Sequence, residues 1–572
     1  MDKPSLQDRL FSEDSCLNRM LQNVVREVSA YSEGQLVHMR RLAEIGVALS
    51  AEKNMGRLLE MIVSEARAIT RADAGTLYTV DCGRGLLNFR ILQNDTMKSR
   101  LGGSAGSAID LPPIPLRKDG QPNCGNVSSY AALTGEIVNI PDVYEAPQFD
   151  FTGPREYDQT TGYRSRSMLV IPMRNHENDV IGVLQLLNAL NAETGQVTIF
   201  SEETVDLVAS LASQAAVALT NAQLIQNLTD LLHAFIKSIA AAIDEKSPFT
   251  GGHIRRVTDL TLSMAREINE TREGPFAGIN LTEDEMDELA IAAWMHDVGK
   301  IVTPDHVVDK RHKLETIFDR ASLVETRFDL IEQTVRNGYL SEKVRRMERG
   351  EWDGAAALRL DRAMREDLER LREEREFVIG CNVPRETMGT EEIERLKTIG
   401  CRTFFLDGRE RRYLTDDEIH CLSVTRGSLT PEERRIIEHH ALMTRRILEK
   451  LPFPKRLARV PEFAGGHHEM LDGSGYPLGL TAERLPLQTR IMAIADIFEA
   501  LTAKDRPYKQ PMELSQAIRI LRRMKEDGRI DADLFDFFVS RGLHVKYAAE
   551  EPRSGWDDEE WNGSRNRAGG EG

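Results

Sequence analysis

GHHEMLDGSGYPLGLTAERLPLQTRIMAIADIFEALTAKDRPY, from Gly466 to Tyr508, is the stretch from which the rest of the chain is interpreted. The adjacent His467 and His468 precede a Gly-rich turn, and the apolar helical pattern that follows carries Asp496. Borderline divalent metals favour imidazole nitrogen with some carboxylate oxygen, so the stretch indicates half of a metal site. A solvated helix end beside an ordinary polar residue remains the alternative on these residues alone.

Composition limits the classes of function. The chain has 572 residues and a net charge of -17, which argues against a partner that is a nucleic-acid polymer. Its six cysteines form no CxxC pair and the N-terminus is acidic and polar, so we expect reduced thiols and a cytoplasmic protein. No uninterrupted apolar run approaches a membrane span, and we expect no membrane partner.

The first part of the chain predicts a small α+β domain. Residues 1–37 are polar and predict an N-terminal helix or arm. From 38 to 200 the patterns run helix, strands, loops, strands and helix, which favours an antiparallel sheet with helices on one side. This segment resembles a GAF domain, a sensory module, in DAGTLYTVD, ALTGEIVNIPDVYEAPQFD, SMLVIPM and VIGVLQLLNA followed by FSEET.

The resemblance leaves the ligand of this domain open. Asn188 and Phe200 match the signature of nucleotide-binding GAF domains, but Ala189 stands in place of its Lys. Glu202 and Glu203 match its acidic end only loosely. Two interpretations stay open: an unknown small ligand, or no ligand and a role in dimerisation or signal relay, with Asn188 as a turn residue.

Residues 201–244 predict one connecting signalling helix. Every seventh residue is apolar in a first stripe, which favours a homodimer through a parallel coiled coil. A second seam is polar in two places, which makes the coiled coil imperfect. A helix packed on its own core is the alternative. The first stripe is Leu211, Ala218, Ile225, Leu232 and Ile239; the second seam holds Leu228 and Phe235 with Gln214 and Asn221.

Residues 245–549 predict an all-α domain that brings polar residues together. His253 starts an amphipathic helix, and His296-Asp297 end an apolar one, where a charged pair needs a partner. With His440 and the opening stretch, five histidines and two aspartates exceed one tetrahedral zinc and suit two metals that share a carboxylate. Residues 314–428 predict a helical insertion, structural or partner-binding, and 550–572 a disordered tail.

The second part of the chain resembles the HD-GYP family of HD metal-dependent phosphohydrolases in HIRRV, HDVGKI, HHEMLDGSGYP and ADIFEALTAKDRPYK. The resemblance implies hydrolysis of cyclic di-GMP to linear pGpG, GMP or both. It implies Asp297 and Lys300 as catalytic residues, with Asp297 bridging the metals. The implied contacts to the substrate phosphates are Lys300, Arg506 and Lys509. For Tyr476 two interpretations stay open: a contact near the guanines of the substrate, or a structural turn or partner-docking surface together with Pro477. The implied metal ligands are His253, His296, Asp297, His440, His467, His468 and Asp496, His440 being chosen over His439 by the spacing to Thr444.

One departure from the family pattern limits the number of metals. Some members hold a third metal with a Glu four residues before the first histidine, where this chain has Phe249. We therefore expect two divalent ions, with iron or manganese favoured. The alternatives are another cyclic dinucleotide or phosphodiester as substrate, or a non-catalytic signalling and partner-binding protein. The predicted fold is multidomain: an α+β GAF domain, then an all-α HD domain with a long helical insertion.

Overall fold

The chain forms two compact units whose boundary falls inside a long helix, between Asp230 and Leu231. The predicted tail at 550–572 lies outside the residues that the structure describes. The computed structural model describes residues 15–104, 106–246, 252–385, 387–503 and 512–549.

The first unit is built on one antiparallel sheet, as the GAF resemblance predicts. Its helices are α1 (Ser15–Ala51), α2 (Met55–Thr70), α3 (Val127–Thr134), α4 (Thr152–Thr161) and α5 (Glu202–Lys246). Its strands are β1 (Ala72–Asp81), β2 (Leu86–Asn94), β3 (Ser99–Gly102), β4 (Ile114–Pro115), β5 (Arg117–Lys118), β6 (Gln121–Pro122), β7 (Val138–Ile140), β8 (Met168–Arg174), β9 (Val180–Leu190) and β10 (Val197–Thr198). The main sheet has the order β3-β2-β1-β9-β8-β7, with β4 on β2 and β10 on β9.

Both faces of this sheet are covered. Successive side chains of a strand point to opposite faces, so Leu77 packs among α1, α2 and α5 while Tyr78 packs on the other side. Val127 and Ala131 of α3 belong to that second core. The expectation of helices on one side only was therefore wrong in one detail, because α3 covers the opposite face; the α+β class is confirmed.

Helix α5 contributes to the cores of both units. Leu211 and Ala218 of the predicted first stripe are buried in the first unit, so there the alternative of packing on its own core holds. Ile236 and Ala240 are buried in the second unit. By length and composition alone, α5 also meets the criterion for a membrane span, alone among the described helices. Burial in the two cores accounts for part of that apolar composition, since Leu228 and Phe235 between them are exposed.

The second unit is helical around two cores, with an insertion that has a third core of its own. Its helices are α6 (His253–Glu270), α7 (Glu283–Met295), α8 (Asp305–Val308), α9 (Ala321–Glu348), α10 (Gly354–Asn382), α11 (Thr390–Gly400), α12 (Asp416–Leu422), α13 (Pro431–Leu448), α14 (Val460–Gly465), α15 (Leu487–Thr502), α16 (Leu514–Glu526), α17 (Ala532–Ser540) and α18 (Leu543–Ala549). Short 3-10 helices span Val298–Val302, Lys455–Leu457 and Ala482–Arg484.

The insertion is more than a solvated helical arm. α9 and α10 are long, and their inner faces pack with α11 and α12 around residues such as Phe328 and Val378. An antiparallel hairpin of β11 (Thr403–Leu406) and β12 (Arg409–Arg412) joins α11 to α12. The prediction of a purely helical insertion was therefore incomplete, because Asp407-Gly408 at the hairpin turn both adopt positive φ, which a two-residue hairpin turn favours.

Candidate metal centre

The five histidines and two aspartates predicted as ligands lie together in the second unit. Six of them are more than nine-tenths buried, and the side chain of His468 is 22% exposed. Helix ends place most of them: His253 begins α6 after Gly252 at a φ of 78°, and His296 follows the last residue of α7. The cluster is His253, His296, Asp297, His440, His467, His468 and Asp496.

Asp297 lies between two groups of imidazoles. Its Oδ2 is 3.6 Å from Nε2 of His253 and 3.4 Å from Nε2 of His296. Its other oxygen, Oδ1, is 3.4 Å from Nε2 of His440. Each oxygen of the carboxylate thus faces a different group of nitrogens, which is the arrangement of a carboxylate able to bridge two ions.

Two separate groups of side chains could each hold one ion. In the first, the candidate ligand atoms of His253, His296 and Asp297 all lie within 4.8 Å of one another. The same limit holds for the second group, His440, His467 and His468.

Asp496 lies close to both groups. Its Oδ1 is 3.3 Å from Nε2 of His253, and its Oδ2 is 3.8 Å from Nδ1 of His468. The structure therefore brings the second predicted aspartate to the cluster from α15.

Backbone carbonyls orient three of the histidines. Nδ1 of His296 is 2.7 Å from the Ala293 carbonyl, and Nδ1 of His440 and His467 each lie 2.6 Å from the carbonyl three residues earlier. A carbonyl oxygen only accepts, so each Nδ1 carries the proton and each Nε2 of the neutral ring keeps a free lone pair. Such outer hydrogen bonds commonly fix the tautomer of metal-binding histidines.

The inward-facing atoms of this cluster fit a bound cation. Nε2 of His296, His440 and His467 and Oδ1 of Asp297 are buried and have no hydrogen-bond donor among the described residues. Buried acceptors without a partner cost free energy, which a metal ion would offset by coordination. The nitrogen-rich donor set with carboxylate oxygen suits a borderline divalent metal.

Burial also keeps the second group of imidazoles neutral. It lowers the pKa of His468 to about 4 and the pKa of His467 well below its usual value. Burial alone would raise the pKa of Asp297, but Lys300 and His296 outweigh it and hold that pKa well below its usual range. At neutral pH the second group therefore combines unprotonated imidazoles with a charged carboxylate, the forms that bind metals. His253 differs: burial alone would lower its pKa, but Glu499 and the two aspartates outweigh burial and hold that pKa well above its usual value, so a metal bound there would displace a proton.

Glu499 is a buried carboxylate that the sequence analysis missed. It is fully buried, pairs with Nδ1 of His253 and accepts from Nε of Arg256 at 2.6 Å. This pairing orients His253 so that its Nε2 faces the two aspartates. The available signal was its spacing, because Glu499 follows Asp496 by three residues on one helix and shares its face.

Thr444 of α13 bonds to the backbone around the HD motif, His296-Asp297. Its hydroxyl donates to the His296 carbonyl at 2.8 Å and accepts from the Gly299 amide at 2.9 Å. A side chain at Gly299 would collide with the carbonyl of His440, so the glycine permits this close packing. His440 faces the cluster, whereas the neighbouring His439 is exposed.

The Gly-rich turn forms a wall beside the second group. Backbone amides of Leu478 and Leu480 donate to the buried Glu469 at 2.7 and 2.8 Å, a role that the sequence analysis also missed. The ring of Tyr476 lies 4.8 Å from that of His468, centre to centre. Glu469 thus holds the turn that presents Tyr476 to the cluster.

Of the predicted phosphate contacts, the structure describes one. Lys300 pairs with Oδ2 of Asp297, and its side chain is 25% exposed. Arg506, Lys509 and also Phe249, on which the limit to two metals depends, lie outside the described residues.

Comparison with known proteins identifies the domains. The GAF domain family matches residues 54–219, and HD domain families match 250–374 and 416–534. The chain therefore combines a GAF domain with an HD domain, as the motifs indicate. HD domains are metal-dependent hydrolases. The described cluster fits this dependence on divalent metal.

Curated relatives resemble only part of this chain. A 3'3'-cGAMP-specific phosphodiesterase 1 from Vibrio cholerae is 42% identical over 128 residues, 22% of this chain and 29% of that protein. A probable cyclic di-GMP phosphodiesterase from the same organism is 42% identical over 17% of this chain and 22% of its own length. The cyclic di-GMP phosphodiesterase of Thermotoga maritima is 44% identical over 16% and 25%. The chain thus spans about a quarter of the length of these relatives.

Proposed function

We propose that this protein is a phosphodiesterase that hydrolyses a cyclic dinucleotide, with cyclic di-GMP as the substrate, under the control of its GAF domain. The observation that carries the proposal is Asp297, each of whose oxygens faces a different group of imidazoles. The named activities of the relatives support the same substrate class.

The cluster supports a binuclear centre. His253, His296 and Asp297 would hold one ion, and His440, His467 and His468 the other, with Asp496 beside both. When bound, divalent ions supply Lewis acidity and a hydroxide nucleophile at neutral pH. Imidazole nitrogen suits iron and carboxylate oxygen suits manganese, and we propose these two as the ions.

The remaining residues of the site would act on the substrate. Lys300 is held by Asp297 and would place its ammonium beside the phosphoryl oxygens, where it stabilises developing negative charge. Tyr476 would line the wall near a guanine base. Arg506 and Lys509 complete the proposed set as contacts to the second phosphate, Arg being suited to a bidentate contact.

The proposed reaction is hydrolysis. Water adds to one phosphorus atom, the bond from phosphorus to the 3'-oxygen breaks, and the 3'-oxygen takes up a proton. The product is linear pGpG, and a second hydrolysis would give GMP.

The proposal is tested by product analysis on the full chain loaded with manganese or, without oxygen, with ferrous iron. We expect chromatography to show pGpG or GMP from cyclic di-GMP, and Asp297→Ala to abolish turnover with the fold retained. Absence of both products with either metal would refute the proposal.

A second substrate is favoured by one observation. Two relatives are named as specific for 3'3'-cGAMP, and the one described above shares 42% identity. The groups that hold metals contact phosphates, so they do not discriminate between adenine and guanine. Parallel assays with 3'3'-cGAMP therefore decide between the two by the ratio of kcat/KM.

We assign the first unit a sensory or relay role, with an unidentified small ligand or none. The side chain of Asn188 is fully engaged in the fold: its amide donates to Tyr163 and to the Arg164 carbonyl, and its oxygen accepts from Arg166. Asn188 lies within β9 and not in a turn, so the expectation of a turn residue was wrong, although its φ of 56° is in the left-handed region. These contacts support the structural interpretation of Asn188 over a nucleotide contact.

Dimerisation is proposed through α5, along a seam that keeps Leu228 and Phe235 of the predicted second seam and adds Leu224 and Leu231. Leu224, Leu228, Leu231 and Phe235 recur at spacings of four and three, and each is at least 48% exposed. Residues 207–229 contain no charged side chain, so a second copy in parallel register would bring no like charges together there. Light scattering should show a dimer that L228E/L231E dissociates, whereas Leu358→Glu on the insertion should not.

The proposed domain limits are the predicted ones, with the catalytic part from 245 to 549. A cytoplasmic location is proposed as well, because none of the six cysteines forms a disulfide.

A further inference from the structure

The last turn of α5 contacts the segment that follows the HD motif. Nζ of Lys246 donates to the backbone carbonyls of Lys300 at 2.9 Å, Ile301 at 3.0 Å and Thr303 at 2.6 Å. It also lies 3.4 Å from the carboxylate of Asp305. One ammonium therefore uses its three donors on three carbonyls that are more than fifty residues away in sequence.

The contacted segment needs such a donor. Residues 298–302 form a 3-10 helix, and the last carbonyls of a helix have few partners within it. A lysine at that end satisfies them and complements the negative end of the helix dipole. Because Lys300 lies in this helix and pairs with Asp297, the cap also fixes where the Lys300 side chain begins.

A second residue of the same turn contacts the other segment that carries a ligand. The carboxylate of Asp244 is buried and accepts from the Gly252 amide at 3.1 Å. Gly252 is the residue before His253, the first residue of α6. The end of α5 thus bonds to the backbone at both His253 and the HD motif.

α5 is continuous from Glu202 to Lys246, and near its start Val208 and Leu211 are buried in the core of the first unit. We propose that Lys246 is a positioning residue: it sets the location of Lys300 in the active site and makes the end of α5 the point at which a signal reaches the chemistry. The effect on turnover rests on the proposed phosphodiesterase function.

The test uses Lys246→Met, which keeps the aliphatic stem and removes the donors. Lys246→Arg is the conservative rescue, and Lys450→Gln, at an exposed lysine after α13, is the control for the lost charge. We expect Lys246→Met to lower kcat by roughly 10- to 100-fold, since a displacement of about 1 Å in a site costs up to about 100-fold. KM should change little, because the other proposed phosphate contacts are intact, and Lys246→Arg should recover most of kcat.

Two further readouts do not depend on the substrate. Hydrogen exchange of residues 298–305 should accelerate in Lys246→Met and not in Lys450→Gln, while bound metal stays at the wild-type amount. Wild-type kinetics with unchanged exchange in Lys246→Met would overturn the inference. So would a lower unfolding temperature with kcat unchanged, which would make Lys246 merely structural. A wild-type protein with no phosphodiesterase activity would refute the proposed function. The hydrogen-exchange result would still show whether Lys246 holds residues 298–305 in place.

Discussion

The two units bury polar side chains in opposite ways. In the GAF unit, Asp73 accepts from the hydroxyls of Tyr163 and Thr96, both at 2.8 Å, and Asn188 donates to Tyr163 at 3.0 Å. In the HD unit, Nε2 of His296 and Nε2 of His440 are buried without a donor among the described residues. The side chains of the GAF network supply one another's hydrogen-bond partners. The HD cluster needs a bound cation as the partner of its nitrogen lone pairs.

This difference separates structure from function within one chain. A buried polar network whose members satisfy one another stabilises a fold, and its loss costs stability. A cluster that leaves lone pairs facing one another costs free energy, which the rest of the fold must offset, and a bound ligand would supply the missing partners. Substitutions in the two units should therefore affect different measurements.

The largest effect is expected from Asp297→Asn. The amide keeps the shape of the carboxylate but removes its charge and one of its two facing acceptors, so a bridging role is lost. We expect kcat to fall at least about 1,000-fold, in the range of losing a principal electrostatic contribution to catalysis. The metal-free protein should also lose stability, because the buried carboxylate loses its ion pair with Lys300.

The matched control is Asp73→Asn in the GAF unit. This carboxylate accepts from Thr96 and Tyr163, so its change should lower the stability of that unit by about 1–3 kcal/mol. Its kcat with saturating metal should match the wild type. Equal losses of kcat in the two variants would break the contrast between the units.

The next largest effect is expected from Glu499→Gln. The substituted amide keeps the size of the side chain but lacks the negative charge that orients His253 and pairs with Arg256. Loss of such an outer partner typically costs 10- to 100-fold in metal affinity or activity, and metal titration should show it. Glu462→Gln, at an exposed ion pair with Arg459, is the control and should bind metal as the wild type does.

Metal removal should affect one unit only. A ligand present at about 100 times its Kd stabilises the folded state by about 2.7 kcal/mol. Chelation should therefore accelerate hydrogen exchange in α7 and α14, which lie beside the ligands, and leave β1 and β9 unchanged. Unchanged exchange in α7 and α14 after complete removal of metal would mean that the cluster does not hold it.

The sequence was enough to predict residues that belong to motifs. The imidazoles and aspartates occur in short motifs, most of them at helix ends, and the spacing known from the family motif favoured His440 over His439. Glu499 was missed because its partner, His253, is 246 residues away, and no local pattern connects them. The three carbonyl contacts of Lys246 escaped for the same reason, since backbone acceptors carry no sequence signal.

Part of the first stripe predicted on α5 belongs to the core of the first unit, for a physical reason. Apolar residues at every seventh position satisfy a core and a partner helix equally well, so spacing does not tell the two apart. Leu211 and Ala218 are buried by their own unit, whereas Leu228 and Phe235 are exposed. Burial decides which of these residues a second copy could contact, and burial depends on the whole fold.

The smallest effect on activity is expected at Asn188, where two substitutions separate its roles. Asn188→Gly removes the amide that bonds Tyr163, Arg164 and Arg166 but tolerates the φ of 56°. Asn188→Ala removes the same bonds and adds the cost of a left-handed backbone, about 1 kcal/mol. We expect chemical denaturation to place Asn188→Gly about 1–3 kcal/mol below the wild type and Asn188→Ala lower still. Both should keep wild-type kcat. A substitution could instead leave stability unchanged and alter the response of turnover to an added nucleotide. Asn188 would then be a ligand contact. The GAF unit would in that case resemble the HD unit, because both would contain polar side chains whose partner is a bound ligand.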